Sequence, residues 1–221
     1  NYTGETDYKT EKKGLEEIKA YWPANHSDQS GETTHFSVVD ESGMALAVTA
    51  SINAYFGAAA ASENLGFLYN TYMDDFILGD PGHPFAIGPG KMAYSSMSPT
   101  VVRRDQENVL VLGSPGSARI ISSVAQIVQA WVDAPQKDIQ TIVAQPRIHV
   151  YDNKAVFEAQ HFPQQDAIFD YLHNQGMKIA FPSYDLTKNG LNAYFGGVHA
   201  IARENGVWVG AADPRRDGQV R

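Results

Sequence analysis

Hydrophobic and polar positions divide this chain near residue 33. Residues 1–32, NYTGETDYKTEKKGLEEIKAYWPANHSDQSGE, are polar and charged. Their one helical candidate, Gly14–Trp22, is stopped by Pro23. The stretch ANHSDQSGE has no apolar face and reads as an exposed strip where a chain is readily nicked. From Thr34 the pattern becomes regular. HFSVVD and MALAVTASIN are short β-rich runs joined by ESG, which predicts a hairpin. NVLVLGS (108–114) predicts a third strand that runs into PGSARIISSVAQIVQAWVDA. There Ile120, Ile121, Val124, Ile127, Val128, Trp131 and Val132 recur at three and four residues, as on one face of a helix. Asp166–Gln175 predicts a second helix, closed by Gly176. GVHAIARENGVWVGAAD reads as two alternating runs around Asn205-Gly206, the clearest hairpin in the chain. Hairpins first and helices between later strands predict an α+β fold with sheets layered against helices.

Composition narrows the chemistry. The chain has 221 residues, enough for one large domain or two small ones. It is 43% hydrophobic and 19% charged, the profile of a folded protein. A net charge of −8 disfavours nucleic acid or an anionic membrane as partner, because a phosphate backbone demands a basic face. No apolar run approaches the ~18 residues that suggest a membrane span. No signal peptide opens the chain, and residue 1 is Asn, so the natural start is expected to have been removed or to lie upstream. The absence of cysteine excludes disulfides, thiolate zinc sites and cysteine nucleophiles. The seven histidines show no HxH or HExxH spacing, so no metal site is indicated.

Two adjacent threonines, Thr33 and Thr34, stand at the mouth of the first predicted strand. A turn or strand cap would account for them. The alternative is chemical. If Thr33 heads its own chain, its α-amino group, with a reference pKa of about 7.7–8.0, can take the proton of its own hydroxyl. In the uncut chain that nitrogen is an amide and cannot serve. Cleavage and catalysis are then linked, because the same hydroxyl can first attack the Glu32–Thr33 carbonyl.

The neighbouring motifs favour the chemical reading. TTHFSVVDESGMALAVTASIN, YMDDF (72–76), SSMSPT (95–100) and GSPGSARI (113–120) occur in this order at plausible distances. Together they resemble the small subunit of gamma-glutamyltransferases, also called glutathione hydrolases, of the N-terminal-nucleophile hydrolase superfamily. The resemblance covers residues 33 to about 214. It implies a four-layer αββα sandwich completed by a large subunit from the same precursor. Residues 1–32 would be the C-terminal tail of that large subunit, and residues 33–221 the small, catalytic one.

The same resemblance implies roles for particular residues. Thr33 would be the nucleophile that carries a gamma-glutamyl ester. Ser51 stands where the family usually has a second threonine, and its hydroxyl would hold the nucleophile's rotamer. Asn53 and Asp75 match residues that bind the substrate's α-amino group, and Ser95 and Ser96 match those that bind its α-carboxylate. Gly116 and Ser117 match a glycine pair whose N–H groups form the oxyanion hole, at a helix start where such donors are unpaired. Glu32 and Thr33 flank the processing site. The resemblance implies no cofactor. It implies a small gamma-glutamyl substrate, with water or an amino acid or peptide as acceptor. By the same likeness the compartment would be periplasmic or extracellular.

Several positions depart from the family pattern. Tyr72 replaces the usual glutamine or glutamate before MDDF, which leaves room for an acyl group without an amine, such as glutaryl. The second glycine of the oxyanion pair is Ser117, with less backbone freedom. The segment from Asp75 to Ser95 looks shorter than in lidded bacterial members, predicting a more open pocket. No motif assigns Arg103, Arg119 or Arg147 the carboxylate clamp, so ion pairs at the surface or core edge are expected for all three. His35 shares the face of Thr33, yet the amine already supplies a base, and a structural hydrogen-bonding histidine is expected. A degenerate, uncut and non-catalytic member is the remaining alternative.

Overall fold

The structure, a computed structural model, describes residues 32–158, 165–182, 187–188 and 190–221. The helical candidate at Gly14–Trp22 lies outside them. Strands β1 (Thr33–Val39) and β2 (Ala45–Ser51) form the predicted hairpin. Strands β3 (Thr100–Arg104) and β4 (Glu107–Gly113) lead through a turn into helix α1 (Arg119–Asp133) and the short α2 (Ile139–Val143). Next come β5 (Ile148–Tyr151), β6 (Lys154–Phe157), α3 (Gln165–Asn174) and β7 (Lys178–Ala180). The chain closes with β8 (Thr187–Lys188), β9 (Leu191–Asn192), β10 (His199–Glu204) and β11 (Val207–Ala212). Asn205 and Gly206 take φ of 50° and 84°, the left-handed pair that a tight β10–β11 turn requires. Gly176, with φ 75°, donates its N–H to the His173 carbonyl and closes α3.

Strands β11, β10, β4 and β3 form one antiparallel sheet in that order. Alternation gives it two apolar faces. Leu110, Leu112, Ala200 and Ala202 meet Ile120, Val124, Ile127 and Trp131 of α1 and Ile139, Ile142 and Val143 of α2. Fully burying each such large side chain contributes about 1.5–3 kcal/mol. The opposite face, with Val111 and Gly113, receives the β1–β2 hairpin. The order is therefore hairpin, sheet, helices. The predicted helix face is narrower than its seven apolar residues suggest: Ile121 and Val132 are 56% and 53% exposed. They flank the stripe 120, 124, 127 and 131, which covers the sheet with Val128 at its edge. On the hairpin, the inward-facing residues include His35 while Phe36, Val38 and Leu46 are exposed.

A buried ionic cluster joins the C-terminal segment to this core. Arg147 meets Asp213 at 2.6 Å, Arg215 meets Asp213 at 3.0 Å, and Arg215 meets Glu158 at 2.5 Å, all with side chains at most 1% exposed. Arg147 therefore departs from the expectation of a surface or core-edge pair, whereas Arg103 is exposed and donates to the Gln106 carbonyl. Burial alone would raise Asp213, but the two guanidiniums outweigh it and hold its carboxyl below the usual range.

Residues 72–94 belong to a separate unit. Within it a single-turn 3-10 helix spans Tyr72–Asp75, Ile77 pairs with Ala86, and Lys91 Nζ donates to the Pro81 and His83 carbonyls at 3.1 and 3.0 Å. Among the described residues no helix is long and apolar enough to cross a membrane.

Candidate active site

The hairpin register sets the site. Thr33 lies directly opposite Ser51, and their hydroxyl oxygens are 2.8 Å apart. A slip of one residue would send the two hydroxyls to opposite faces. The turn pins the register. The Asp40 carboxylate accepts the Ser42 hydroxyl at 2.6 Å and the Ser42 and Met44 N–H groups at 2.9 Å each. Those bonds, the Ser42 hydroxyl first, hold Asp40 below the usual carboxylate range.

Ser51 is the centre of a small network. Its Oγ accepts the Asn53 N–H at 2.9 Å and donates to the Glu32 carbonyl at 3.3 Å. The Ile52 N–H donates to that same carbonyl at 3.0 Å, and the Glu32 N–H donates to the Asn53 carbonyl at 3.0 Å. Asn53 reaches these partners in the left-handed region, φ 70°, which asparagine tolerates better than most residues. The carbonyl just before Thr33 thus faces two donors, and the Thr33 hydroxyl sits beside a hydroxyl that can relay its proton.

The turn between β4 and α1 is held rigidly. Gly116 has φ 139° and Ser117 has φ 57°. A Cβ on Gly116 would come within 3.0 Å of the Gly196 Cα, so glycine is required there by close approach as well as by φ. Ser114, fully buried, donates to the Pro115 carbonyl at 2.6 Å and accepts the Gly197 N–H at 3.1 Å. Ser96 donates to the Ser117 carbonyl at 2.9 Å, so the structure brings a predicted carboxylate binder onto the predicted oxyanion turn. Ser95 is exposed and its Oγ accepts the Met97 N–H at 3.2 Å.

His35 is buried, with Nδ1 2.8 Å from Thr49 Oγ1 and Nε2 3.0 Å from Ser37 Oγ. Burial first, and the neighbouring His199 second, bring its pKa down to about 4. A neutral ring with both nitrogens engaged is a structural part, as expected. Tyr72 and Asp75 share the 3-10 turn of the separate unit, where Asp75 is half-buried and Asp74 exposed. Tyr94 of the same unit is raised by burial, then by the Asp75 charge and by Tyr72.

Sequence reasoning missed Ser114 and the Gly196–Gly197 pair that hold the Gly116–Ser117 turn. The signal was present in YFGGVHA, since paired glycines before a strand mark close backbone approach.

Layered antiparallel strands, flanking helices and a hydroxyl residue opening the first strand define the α+β fold of N-terminal-nucleophile hydrolases. The gamma-glutamyltranspeptidase family model matches residues 4–221, and the chain belongs to that family. A glutathione hydrolase proenzyme of Escherichia coli is 44% identical over 198 residues, covering 85% of this chain and 32% of that protein. A Pseudomonas acylase proenzyme is 30% identical over 205 residues, covering 92% of this chain and 34% of that protein. The chain therefore spans about a third of the length of the curated relatives it matches. Among solved structures, a gamma-glutamyltranspeptidase of Pseudomonas nitroreducens superposes with TM-score 0.68 at 30% identity, covering 85% of this chain and 98% of that chain. A cephalosporin acylase of Bacillus halodurans superposes with TM-score 0.72 at 23% identity, over 95% of this chain and 38% of that one. The acylase superposition speaks to fold alone.

Proposed function

We propose that this chain carries the small, catalytic subunit of a self-cleaving gamma-glutamyl hydrolase or transferase, with Thr33 as nucleophile. The observation that carries the reading is the 2.8 Å pairing of the Thr33 and Ser51 hydroxyls beneath a Glu32 carbonyl that already accepts two hydrogen bonds. In self-cleavage the Thr33 Oγ attacks that carbonyl and its proton passes toward Ser51. The Glu32–Thr33 amide bond then breaks as the acyl group moves to oxygen and the same proton is delivered to the leaving nitrogen. Water hydrolyses the ester and leaves a free Thr33 amine. That amine is afterwards the base for the same hydroxyl. In turnover, Thr33 takes the gamma-glutamyl group from an amide and the amine leaves with the proton. The Gly116 and Ser117 N–H groups hold the oxyanion, and water or an acceptor amine then takes the acyl group.

The large subunit supplies what the hairpin sheet lacks. Its two strands have no further paired neighbour among the described residues, and Phe36, Val38 and Leu46 form an exposed apolar face. A two-stranded ribbon with an uncovered apolar side needs a partner layer.

Intact-mass measurement of the full-length precursor tests the reading. It should yield a fragment beginning at Thr33, and Thr33→Ala should stay uncut and inactive. Normal cleavage of that variant would assign the chemistry to another nucleophile.

A glutaryl-type amidase is the second reading, favoured by Tyr72 and by the likeness to an acylase. Gamma-glutamyl-p-nitroanilide and its glutaryl counterpart separate the two. Asp75→Ala should raise KM strongly for the first and little for the second, and preference of the wild type for glutaryl would reverse the choice.

A further inference from the structure

Arg216 stands out among the charged groups that the mechanism leaves unused. It follows the buried cluster of Asp213 and Arg215, yet it takes no part in it. Both Asp213 oxygens are occupied, one by Arg215 and the other by Arg147 and the Val198 N–H. Among the described residues Arg216 Nε is buried without a hydrogen bond. Nη2 makes one long contact, 3.4 Å, to the Ala193 carbonyl. The aliphatic stem crosses Gly197, where a Cβ would come within 2.8 Å of it. The next residue from Ala193, Tyr194, carries the Arg119 guanidinium 4.2 Å above its ring.

Residues 193–197 therefore hold two guanidiniums while Gly196 packs on Gly116 and Gly197 donates to Ser114. The cationic pair is placed by the same backbone that clamps the oxyanion turn. Arg216 also lines an open cavity of about 650 Å³ together with Asp213, whose oxygens are already taken, and Asp217, Gly218 and Gln219. Burial first and the Arg119 charge second pull Arg216 below its usual range, while Tyr55, Asp213 and Glu32 pull the other way. Two cations held close, one of them short of acceptors, form a site built for an anion. Glu32, whose charge acts on Arg216, is one carboxylate of this chain.

We propose that Arg216, backed by the charge of Arg119, is a carboxylate-binding site beside the oxyanion turn. The Glu32 side chain is one source of that carboxylate, in the uncut chain. A carboxylate-bearing acceptor is the other, once cleavage frees Glu32 from Thr33. The assignment rests on the proposed function, which supplies the cleavage and the transfer.

The test uses the full precursor, large-subunit region included, as wild type, Arg216→Gln, Arg216→Lys, Glu32→Gln and the Arg216→Gln, Glu32→Gln double variant. In one arm self-cleavage is timed by intact mass. In the other, the cut enzyme transfers from gamma-glutamyl-p-nitroanilide to glycylglycine and to glycylglycinamide. If Glu32 is the ligand, Arg216→Gln and Glu32→Gln each slow cleavage about tenfold and the double variant is no slower. If the acceptor is the ligand, the preference for glycylglycine over its amide, in kcat/KM, falls about tenfold in Arg216→Gln and is largely kept in Arg216→Lys. Either result supports the site and names its occupant. Unchanged cleavage together with an unchanged preference overturns it, as does an equal loss with both acceptors and no effect of Glu32→Gln. If the wild type itself releases no p-nitroaniline, the gamma-glutamyl reading fails and the cleavage arm alone decides the fate of the Arg216 site.

Discussion

The ring of His35 occupies the space that a side chain on Gly113 would need: a Cβ built there would overlap the imidazole. Gly113 ends β4, three residues before Gly116, and His35 lies two residues after Thr33. This contact therefore seats β1, which Thr33 opens, on the strand that leads into the Gly116–Ser117 turn. Gly113→Ala should destabilise the protein by about 2 kcal/mol, as overpacking does, because the neighbour is a ring fixed by two hydrogen bonds. Denaturant unfolding of the precursor measures that loss, and intact mass should show slower self-cleavage because β1 must shift. An alanine variant with unchanged stability would mean that His35 moves aside freely.

The same histidine makes stability depend on pH. Its folded pKa, about 4, lies below the ordinary value of 6.5. Unfolded chains then bind the extra proton first as pH falls, so stability drops between pH 6.5 and about 4 and levels off below. The expected loss is about 2 kcal/mol, less than the full shift implies because solvent screening weakens it. His35→Gln keeps polar atoms near Thr49 and Ser37 but cannot titrate. Melting temperatures from pH 4 to 7 should therefore slope more weakly in the variant than in the wild type. Parallel slopes would remove His35 as the source.

Much of this arrangement was legible in the residues themselves. ENG between two alternating runs could form little other than a tight hairpin, and the 120–131 stripe could form little other than a helix on a sheet. The pairing of Thr33 with Ser51 was less direct. It depends on the turn length, set by Asp40 accepting bonds from Ser42 and Met44, which only the folded backbone displays. The short strands β5 to β9 carried too few residues for a period to show. The ionic cluster was hidden for another reason. Arg147 and Glu158 lie far along the chain from Asp213 and Arg215, and all four look like surface charges until packing brings them together.

Ser51 separates two demands that threonine would meet together. Its hydroxyl touches Thr33 Oγ1, the Asn53 N–H and the Glu32 carbonyl, so Ser51→Ala removes all three contacts at once. Self-cleavage should slow by about a hundredfold, the scale of losing one proton-transfer or carbonyl-stabilising group. Ser51→Thr keeps the hydroxyl and adds a methyl that restricts χ1. Cleavage at least as fast as in the wild type is expected there. Time courses by intact mass check both, and equal rates for alanine and serine would exclude Ser51 from the relay.

Asp213 answers two buried guanidiniums with one carboxylate. Asp213→Asn keeps the shape and removes the charge, leaving Arg147 without an anion and Arg215 with only Glu158. Breaking one side of a buried pair costs about 3–5 kcal/mol, far more than an exposed pair is worth. Urea unfolding of the precursor should show that loss at pH 7. The pH dependence follows from the lowered folded pKa of Asp213. Its contribution is complete above the unfolded carboxylate value, near about 3.9, and disappears as pH falls through the folded value. The gap between wild type and Asp213→Asn should accordingly be constant from pH 7 to 5 and close in stronger acid. A gap that stays open at the lowest pH where both proteins fold would mean that the carboxylate acts through its shape and hydrogen bonds rather than through its charge.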